Sequence, residues 1–287
     1  DSINDPLVGQ GLRLSREFMN ITGPVSNLVD YVPLLQKLPT STRDRARRLH
    51  ADLVEAYGGL VESTYEKMQA GAEVKDCLVK TMLLTREKES LDELDMAMLA
   101  TAFMIGGVET TASVIQWFAA TIPAHPHIQQ RAHDELDRVV GRDRLPTVDD
   151  EASLPYCRAI VKEVERCCNP SWLGTPHMAG QDLVYREHFI PKGAVMVLNT
   201  YTMHRDPARW ERPDVFDPNR YLHDSRSSSA SAVLPNPLER DHWIFGARRR
   251  ICPGRFVAER EIWLAVSRML WAFEVAGVAD KPIDLNE

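Results

Sequence analysis

The sequence is short of the features that mark several large classes of protein. Basic residues are not in excess: 34 lysines and arginines face 41 aspartates and glutamates, a formal net charge of −7. That balance argues against nucleic acid as a partner. Cysteine is sparse as well. The five present (Cys77, Cys157, Cys167, Cys168 and Cys252) form no CxxC pair and no even set, which argues against a zinc site and a disulfide framework and fits a reducing compartment. No apolar run is read as reaching membrane-spanning length, no signal-peptide pattern stands at the start, and no internal repeat is visible. There is no initiator methionine; the chain starts at Asp1 and is read as a fragment. What remains is a soluble, globular composition, 44% hydrophobic and 26% charged over 287 residues, long enough for one large domain or two.

One cysteine stands in unusual company. Phe245 to Gly254 reads Phe-Gly-Ala-Arg-Arg-Arg-Ile-Cys-Pro-Gly, so Cys252 lies between three arginines and a Pro-Gly pair that opens an amphipathic stretch. Proline favours the first helical position, which puts Cys252 at or beside a helix cap. There the free N–H groups, the helix dipole and the arginines all favour thiolate over thiol. A thiolate so placed is a nucleophile or a metal ligand; the alternative is a buried structural cysteine.

Upstream of it the chain reads as mainly helical. The first eighty residues carry breaks at Gly23-Pro24, Pro33 and Pro39. Arg43 to Met68 is amphipathic, with Leu49, Leu53, Ala56, Leu60 and Tyr65 along one side, and Arg43, Arg45, Arg47 and Arg48 read as a solvated face. Leu91 to Ala120 would span roughly 45 Å as a helix. Its middle (Met96, Leu99, Phe103, Met104, Ile105) is apolar on nearly every side, as expected of a helix crossing a protein interior. Gly106-Gly107-Val108-Glu109-Thr110-Thr111 breaks that pattern. Two mid-helix glycines cost roughly 1 kcal/mol each, and a buried carboxylate costs several more unless paired. Either something is pressed against this helix, or another helix crosses it closely. Pro126 to Val140 and Leu154 to Cys167 are two further helices; the second places Glu163 and Arg166 one turn apart, in isolation an ordinary surface ion pair. Short β-rich runs at Leu183 to Tyr185 and Ala194 to Asn199 flank a turn at Ile190 to Gly193. Ser225 to Ser231 reads as a mobile surface loop, and Phe256, Glu259, Ile262, Ala265, Val266 and Met269 mark a final amphipathic helix before a tail from Ala276.

Phe245, Arg250, Cys252 and Gly254 resemble the haem-binding loop of the cytochrome P450 monooxygenases, Phe-x-x-Gly-x-Arg-x-Cys-x-Gly. One position departs: Arg248 stands where that pattern has the glycine that lets the loop turn closely under the porphyrin. The Gly-Gly-x-Glu-Thr stretch resembles the family's central helix, and Glu163-x-x-Arg166 its most regular helical motif. Pro218-Asn219-Arg220-Tyr221 is similar to its Pro-x-Arg-Phe segment, and Asn169 stands where a proline commonly follows the Glu-x-x-Arg helix. The three motifs occur in the family's order across most of the chain. The resemblance is to the C-terminal half of a eukaryotic, microsomal-type member, with fungal secondary metabolism in view.

It implies a mainly α fold with a small β region, a single partial domain over residues 1–287, and haem between the central helix and the cysteine loop. Cys252 would be the iron ligand, Phe245 would shield its sulfur, and Arg250 and His177 would meet the propionates. Gly106 and Gly107 would leave room for haem and dioxygen in a locally distorted helix, Thr110 would hydrogen-bond the oxygen, and Glu109 would feed protons. Glu163, Arg166 and Arg220 would form a buried structural network. Phe103, Leu173 and Gly174 would face an apolar organic substrate. The implied reaction inserts one atom of O2 using electrons from NADPH through cytochrome P450 reductase. Arg248, Arg249, Arg255 and Arg260 would face that reductase or simply be solvated. The full-length relative would sit on the cytoplasmic face of the endoplasmic reticulum. A haem-incompetent remnant with an interaction role, and a haem protein that does not oxygenate, are the alternatives.

Overall fold

A computed structural model describes residues 4–22 and 40–278, so the breaks read at Gly23-Pro24, Pro33 and Pro39, and the tail beyond Val278, lie outside the described residues. Contacts divide the chain into two compact units, Asp1–Glu109 and Thr110–Glu287. Helices dominate both.

The first unit holds α1 (Pro6–Thr22), α2 (Ser41–Gln69), α3 (Leu78–Thr85) and the first half of α4 (Glu93–Thr121). Thr40 caps α2, its hydroxyl accepting from the Arg43 amide at 3.3 Å. The buried stripe of α2 is Leu49, Leu53, Tyr57 and Val61, each one turn from the next. It packs on Leu14 and Ile21 of α1, Met82 and Leu83 of α3, and Met96, Ala100 and Ile105 of α4. Leu60, read from the sequence as part of this stripe, is exposed, and Ala56 and Tyr65 sit at its edge. Arg45, in the arginine run, reaches across to Glu17 of α1 at 2.7 Å on the surface.

Two readings of α4 are corrected. The helix runs unbroken through Gly106-Gly107, where a local distortion is expected. It is also not enclosed: Met96, Ala97, Ala100, Thr101 and Ile105 are buried, but Leu99, Met104 and Phe103 (45% exposed) are open. An all-round apolar helix predicts burial all round, and here no described residue covers the second face. Glu93–Ala124 is moreover long and apolar enough to cross a membrane by length and composition. The expectation that no run reaches that length is overturned because Glu109 is the lone charge between Met96 and Ala124.

In the second unit, the C-terminal turns of α4 pack with α5 (Pro126–Val139), α6 (Pro155–Cys167) and α9 (Arg255–Ala272). Phe118, Ile122, Ala132, Leu136, Leu154, Ile160, Ile262, Trp263 and Leu270 form its core. Proline starts both α5 and α6. Glu135 of α5 accepts from the Tyr156 and Cys157 amides at 3.0 and 2.9 Å, a carboxylate set against the positive end of α6. Every residue of α6 from Tyr156 to Arg166 is buried, charged ones included. The middle and end of α9 are pinned to the loop before α6, with Trp263 Nε1 donating to the Thr147 carbonyl and Arg268 Nε to that of Pro146, both at 3.0 Å.

The β structure is two short antiparallel ribbons. β2 (Leu183–Tyr185) pairs with β3 (His188–Ile190) across Arg186-Glu187, and β1 (His177–Met178) pairs with β4 (Val195–Met196). The tight hairpin is therefore at Arg186, which takes a left-handed φ of 54°; the turn read at Ile190 to Gly193 is also present, the Ala194 amide donating to the Pro191 carbonyl at 3.1 Å. Gly193, in that turn, donates to the Ala179 carbonyl at 2.8 Å. After α7 (Thr200–His204), Ser225 to Ser231 departs most from its reading as a mobile loop. Ser228–Ala232 is a short helix, α8, and Ser228, Ser229 and Ser231 are buried. Small hydroxyls suit this place because they serve buried polar groups: Ser228 Oγ donates to the Glu165 carboxylate at 2.6 Å, Ser229 Oγ to the Arg255 carbonyl at 3.2 Å, and Ser231 Oγ accepts from the Asp241 amide at 2.8 Å.

Candidate functional site

The cysteine loop is a turn closed by its own backbone. Gly246 N donates to the Trp243 carbonyl at 3.0 Å, Ile251 N to that of Arg248 at 3.1 Å, and Cys252 N to that of Phe245 at 2.9 Å. Two residues take left-handed backbone angles to make it: Gly246 at φ 70° and Arg248 at φ 57°. The first suits glycine; the second is a position where an L side chain is strained. Helix α9 starts at Arg255 with Gly254 as its N-cap. Pro253 thus lies outside the helix, which corrects its reading as the first helical residue and sets Cys252 two residues ahead of the cap. Gly254 has no side chain to cap the first turn, and no acidic residue stands there.

The sulfur is left uncovered on one side. Cys252 is half-buried, and a Cβ added at Gly254 would stand 3.9 Å from Sγ. No described residue hydrogen-bonds that sulfur, while the Cys252 carbonyl accepts from Arg255 at 3.4 Å. Phe245 is buried, its ring 6.2 Å from that of His242. Arg248, Arg249 and Arg250 are all exposed, as is His177 on β1. Among the described residues no group of three or more His, Cys, Asp or Glu could hold a metal ion.

On α4, a Cβ at Gly106 or Gly107 would meet nothing within 4 Å. Glu109 and Thr110 are half-buried, and the next residue, Thr111, is buried with its hydroxyl unpartnered among the described residues. Leu173 is half-buried. Gly174 has φ 61° and lies so close to Leu198 that a Cβ would approach its side chain and carbonyl to 3.3 Å.

Glu163, Arg166 and Arg220 come together. Glu163 and Arg166 are 0% and 1% exposed. Arg166 Nε and Nη2 donate to the two Glu163 oxygens at 2.8 and 2.7 Å, and Arg220 Nε reaches Oε1 at 3.3 Å. The remaining donors meet carbonyls: Arg166 Nη1 those of His204 and Pro213 at 2.7 and 2.8 Å, Arg220 that of Arg212 at 2.7 Å and that of Glu211. The Asp217 amide also donates to Glu163 at 2.9 Å. A buried guanidinium and carboxylate with every donor used is the arrangement that tolerates desolvation. Asn169, at the variable position after α6, accepts from the Ser171 amide at 2.8 Å and donates to Thr200 at 3.0 Å.

Sequence reasoning missed a second set of buried charges on the same helix. Lys162 meets Asp241 at 2.6 Å, and Glu165 meets His242 Nε2 at 2.9 Å. Only the adjacency of Asp241-His242 to the cysteine loop hinted at it. Ser228, His242 and Glu165 are not a nucleophile–base–orienter relay, since Ser228 Oγ (3.2 Å) and the carboxylate meet the same imidazole nitrogen.

Comparison with known proteins agrees with this arrangement. The family model described as Cytochrome P450 matches residues 2–287. The chain is 35% identical, over 298 aligned residues, to cytochrome P450 monooxygenase polD of Polytolypa hystricis, covering all of this chain and 56% of that protein. It is 35% identical over 278 residues to cytochrome P450 monooxygenase verL of Clonostachys rogersoniana, covering 95% of this chain and 51% of that one. Over 202 residues it is 40% identical to cytochrome P450 monooxygenase pgmC of Aspergillus terreus, covering 69% and 38%. The chain spans about half the length of the first two relatives. With its cysteine loop, its mainly helical build and a family match over nearly every residue, this chain belongs to the cytochrome P450 family.

Proposed function

We propose that the protein to which this chain belongs is a haem-thiolate monooxygenase that inserts one atom of O2 into a small-to-medium apolar organic substrate. Electrons would come from NADPH through a flavoprotein reductase, on the cytoplasmic face of the endoplasmic reticulum, and residues 1–287 would form part of one catalytic domain. The observation that carries the reading is the loop that holds Cys252. Its sulfur takes no hydrogen bond from a described residue, and Gly254 leaves it uncovered where a Cβ would stand 3.9 Å away. The residues fit the family's cofactor, haem: one sulfur supplies the single protein ligand that such an iron needs, and the exposed Arg250 suits one of its anionic propionates. When bound, haem supplies the iron at which dioxygen is activated, and a cysteine thiolate beneath it favours O–O cleavage.

The chain's own residues do the rest in this reading. Cys252 holds the iron, Phe245 shields the sulfur, and Arg250 and His177 pair with propionates. Gly106 and Gly107 keep α4 free of side chains where a ligand lies against it. Thr110 and Glu109 move protons towards the oxygen, and Phe103, Leu173 and Gly174 contribute to an apolar binding surface. Thr110→Ala tests the proton role in a full-length, reductase-coupled protein. Haem content should be retained while the peroxide released per NADPH consumed rises. Unchanged coupling would leave α4 a purely structural wall, and a parent with no Soret band would favour a role without haem.

A further inference from the structure

His204, at the end of α7, is 1% exposed, and both of its ring nitrogens are engaged. Nε2 lies 2.8 Å from the Trp243 amide, which can only donate, so Nε2 is the unprotonated nitrogen. The proton is then on Nδ1, which donates to the Arg166 carbonyl at 2.8 Å. Arg166 closes the circuit, its Nη1 donating back to the His204 carbonyl at 2.7 Å. The geometry thus fixes a neutral imidazole in one tautomer and one orientation.

The residue on its far side matters. Trp243 offers its carbonyl to Gly246 N at 3.0 Å, and Phe245, one residue before that glycine, accepts from Cys252 N at 2.9 Å. An unbroken run of hydrogen bonds and short chain segments therefore leads from Glu163 through Arg166, His204 and Trp243 to the backbone of the cysteine. Neighbouring anchors act on side chains, Lys162 on Asp241 and Glu165 on His242. His204 is the one of these that grips the main chain, at the last tie before the loop. A hydrocarbon of the same size would fill the space without the cost of burying two polar nitrogens; what it could not do is aim the Trp243 N–H.

We propose that His204 is a positioning residue for the cysteine loop, holding the Trp243 amide and through it the turn that presents the Cys252 sulfur. The proposal rests on the haem-thiolate reading for its functional meaning, while its structural content is measurable without haem. Three variants separate its parts. His204→Phe keeps ring volume and loses both bonds. His204→Asn offers an amide near the place of Nδ1 but cannot reach Trp243. His204→Gln carries its oxygen to the place of Nε2 and keeps the Trp243 tie. Amide hydrogen exchange on the chain itself is the first readout. Exchange at Gly246 and Cys252 should quicken about tenfold in the Phe and Asn variants, the equivalent of one lost hydrogen bond, and stay near the parent in Gln. Leu136→Ala, a core change on α5, should leave those two amides at the parent's rate relative to the rest of the unit.

The second readout is the reduced, carbon-monoxide-bound spectrum of the haem-loaded, full-length protein. The thiolate-type share should fall in the Phe and Asn variants at equal haem content and be restored by Gln. Parent-like exchange and spectra in the Phe variant, or a Gln variant indistinguishable from Phe, would overturn the proposal. So would failure of both Phe and Asn variants to fold where Leu136→Ala folds, since that makes His204 a general core residue. A parent without any thiolate-type band would contradict the haem reading alone and leave the exchange result to decide the positioning role.

Discussion

Lys162 Nζ and Asp241 Oδ2 lie 2.6 Å apart, with each side chain 1% exposed. Asp224 adds a second carboxylate to the same ammonium at 3.3 Å, and Tyr221 places its ring 5.7 Å away. On the same helix Glu163 and Arg166, one turn apart, form another buried pair. Such pairs give little net stability over an apolar replacement, but each partner alone is a buried, uncompensated charge. Lys162→Met, Glu163→Gln and Arg166→Leu should each lower unfolding free energy by about 3–5 kcal/mol, against well under 1 for a surface pair. Adding Asp241→Leu to Lys162→Met should recover part of the loss. Urea unfolding decides it: single-variant losses below about 1 kcal/mol would mean these charges are hydrated in solution.

Arg248 should be a net burden on the loop. Its φ of 57° costs a side chain about 1–2 kcal/mol, and the residue is exposed, so little packing would be lost with it. It also stands near a like charge: the Arg240 guanidinium is pushed down first by burial and then by Arg248. Arg248→Gly should raise unfolding free energy by about 1 kcal/mol, the gain being trimmed by glycine's looser unfolded state. Haem occupancy of the full-length protein should rise as well. A variant less stable than the parent, with equal occupancy, would show that the loop accepts arginine without strain.

The pinned imidazole of His204 sets a pH dependence. Burial, with His242 adding to it, holds its pKa at about 3, well below the ordinary 6.5. The unfolded chain therefore binds a proton that the folded chain refuses, and stability falls as pH drops below the unfolded value. The stability is complete above about pH 6.5 and should decline by up to ~1.4 kcal/mol per pH unit towards pH 4.5, before most carboxylates protonate. His204→Gln should flatten that slope by one proton. Equal slopes in parent and variant would mean that His204 titrates normally in the folded protein.

Short-range signals carried the sequence reading a long way. Pro126 starts α5, Gly141 (φ 73°) follows its end, and α6 (Pro155–Cys167) lies within a residue of the span read from Leu154 to Cys167. The misses have one physical cause. Periodicity reports polarity, and polarity stands for exposure only where a polar face meets water. In α6 the polar face meets carbonyls from residues 204–215 and the side chains of Asp241 and His242, so all of it is buried. The serines of α8 look solvated by composition, yet they are the partners of Glu165 and Glu259. Conversely α4 reads as a core helix, and Phe103 on it is open. The residues around Cys252 drew attention to it and the family resemblance to Arg248, but the left-handed backbone at Arg248 shows only in the folded loop, and the tie from His204 to Trp243 joins chain segments far apart in sequence.

The central claim is that Cys252 supplies the thiolate that holds haem iron. It is tested most directly by the reduced, carbon-monoxide-bound spectrum of the full-length protein and its Cys252→Ser variant. The account predicts a Soret band shifted far to the red in the parent and its complete loss in the variant, with Cys167→Ser and Cys168→Ser keeping it. A Cys252→Ser protein that still shows the thiolate-type band would contradict the account.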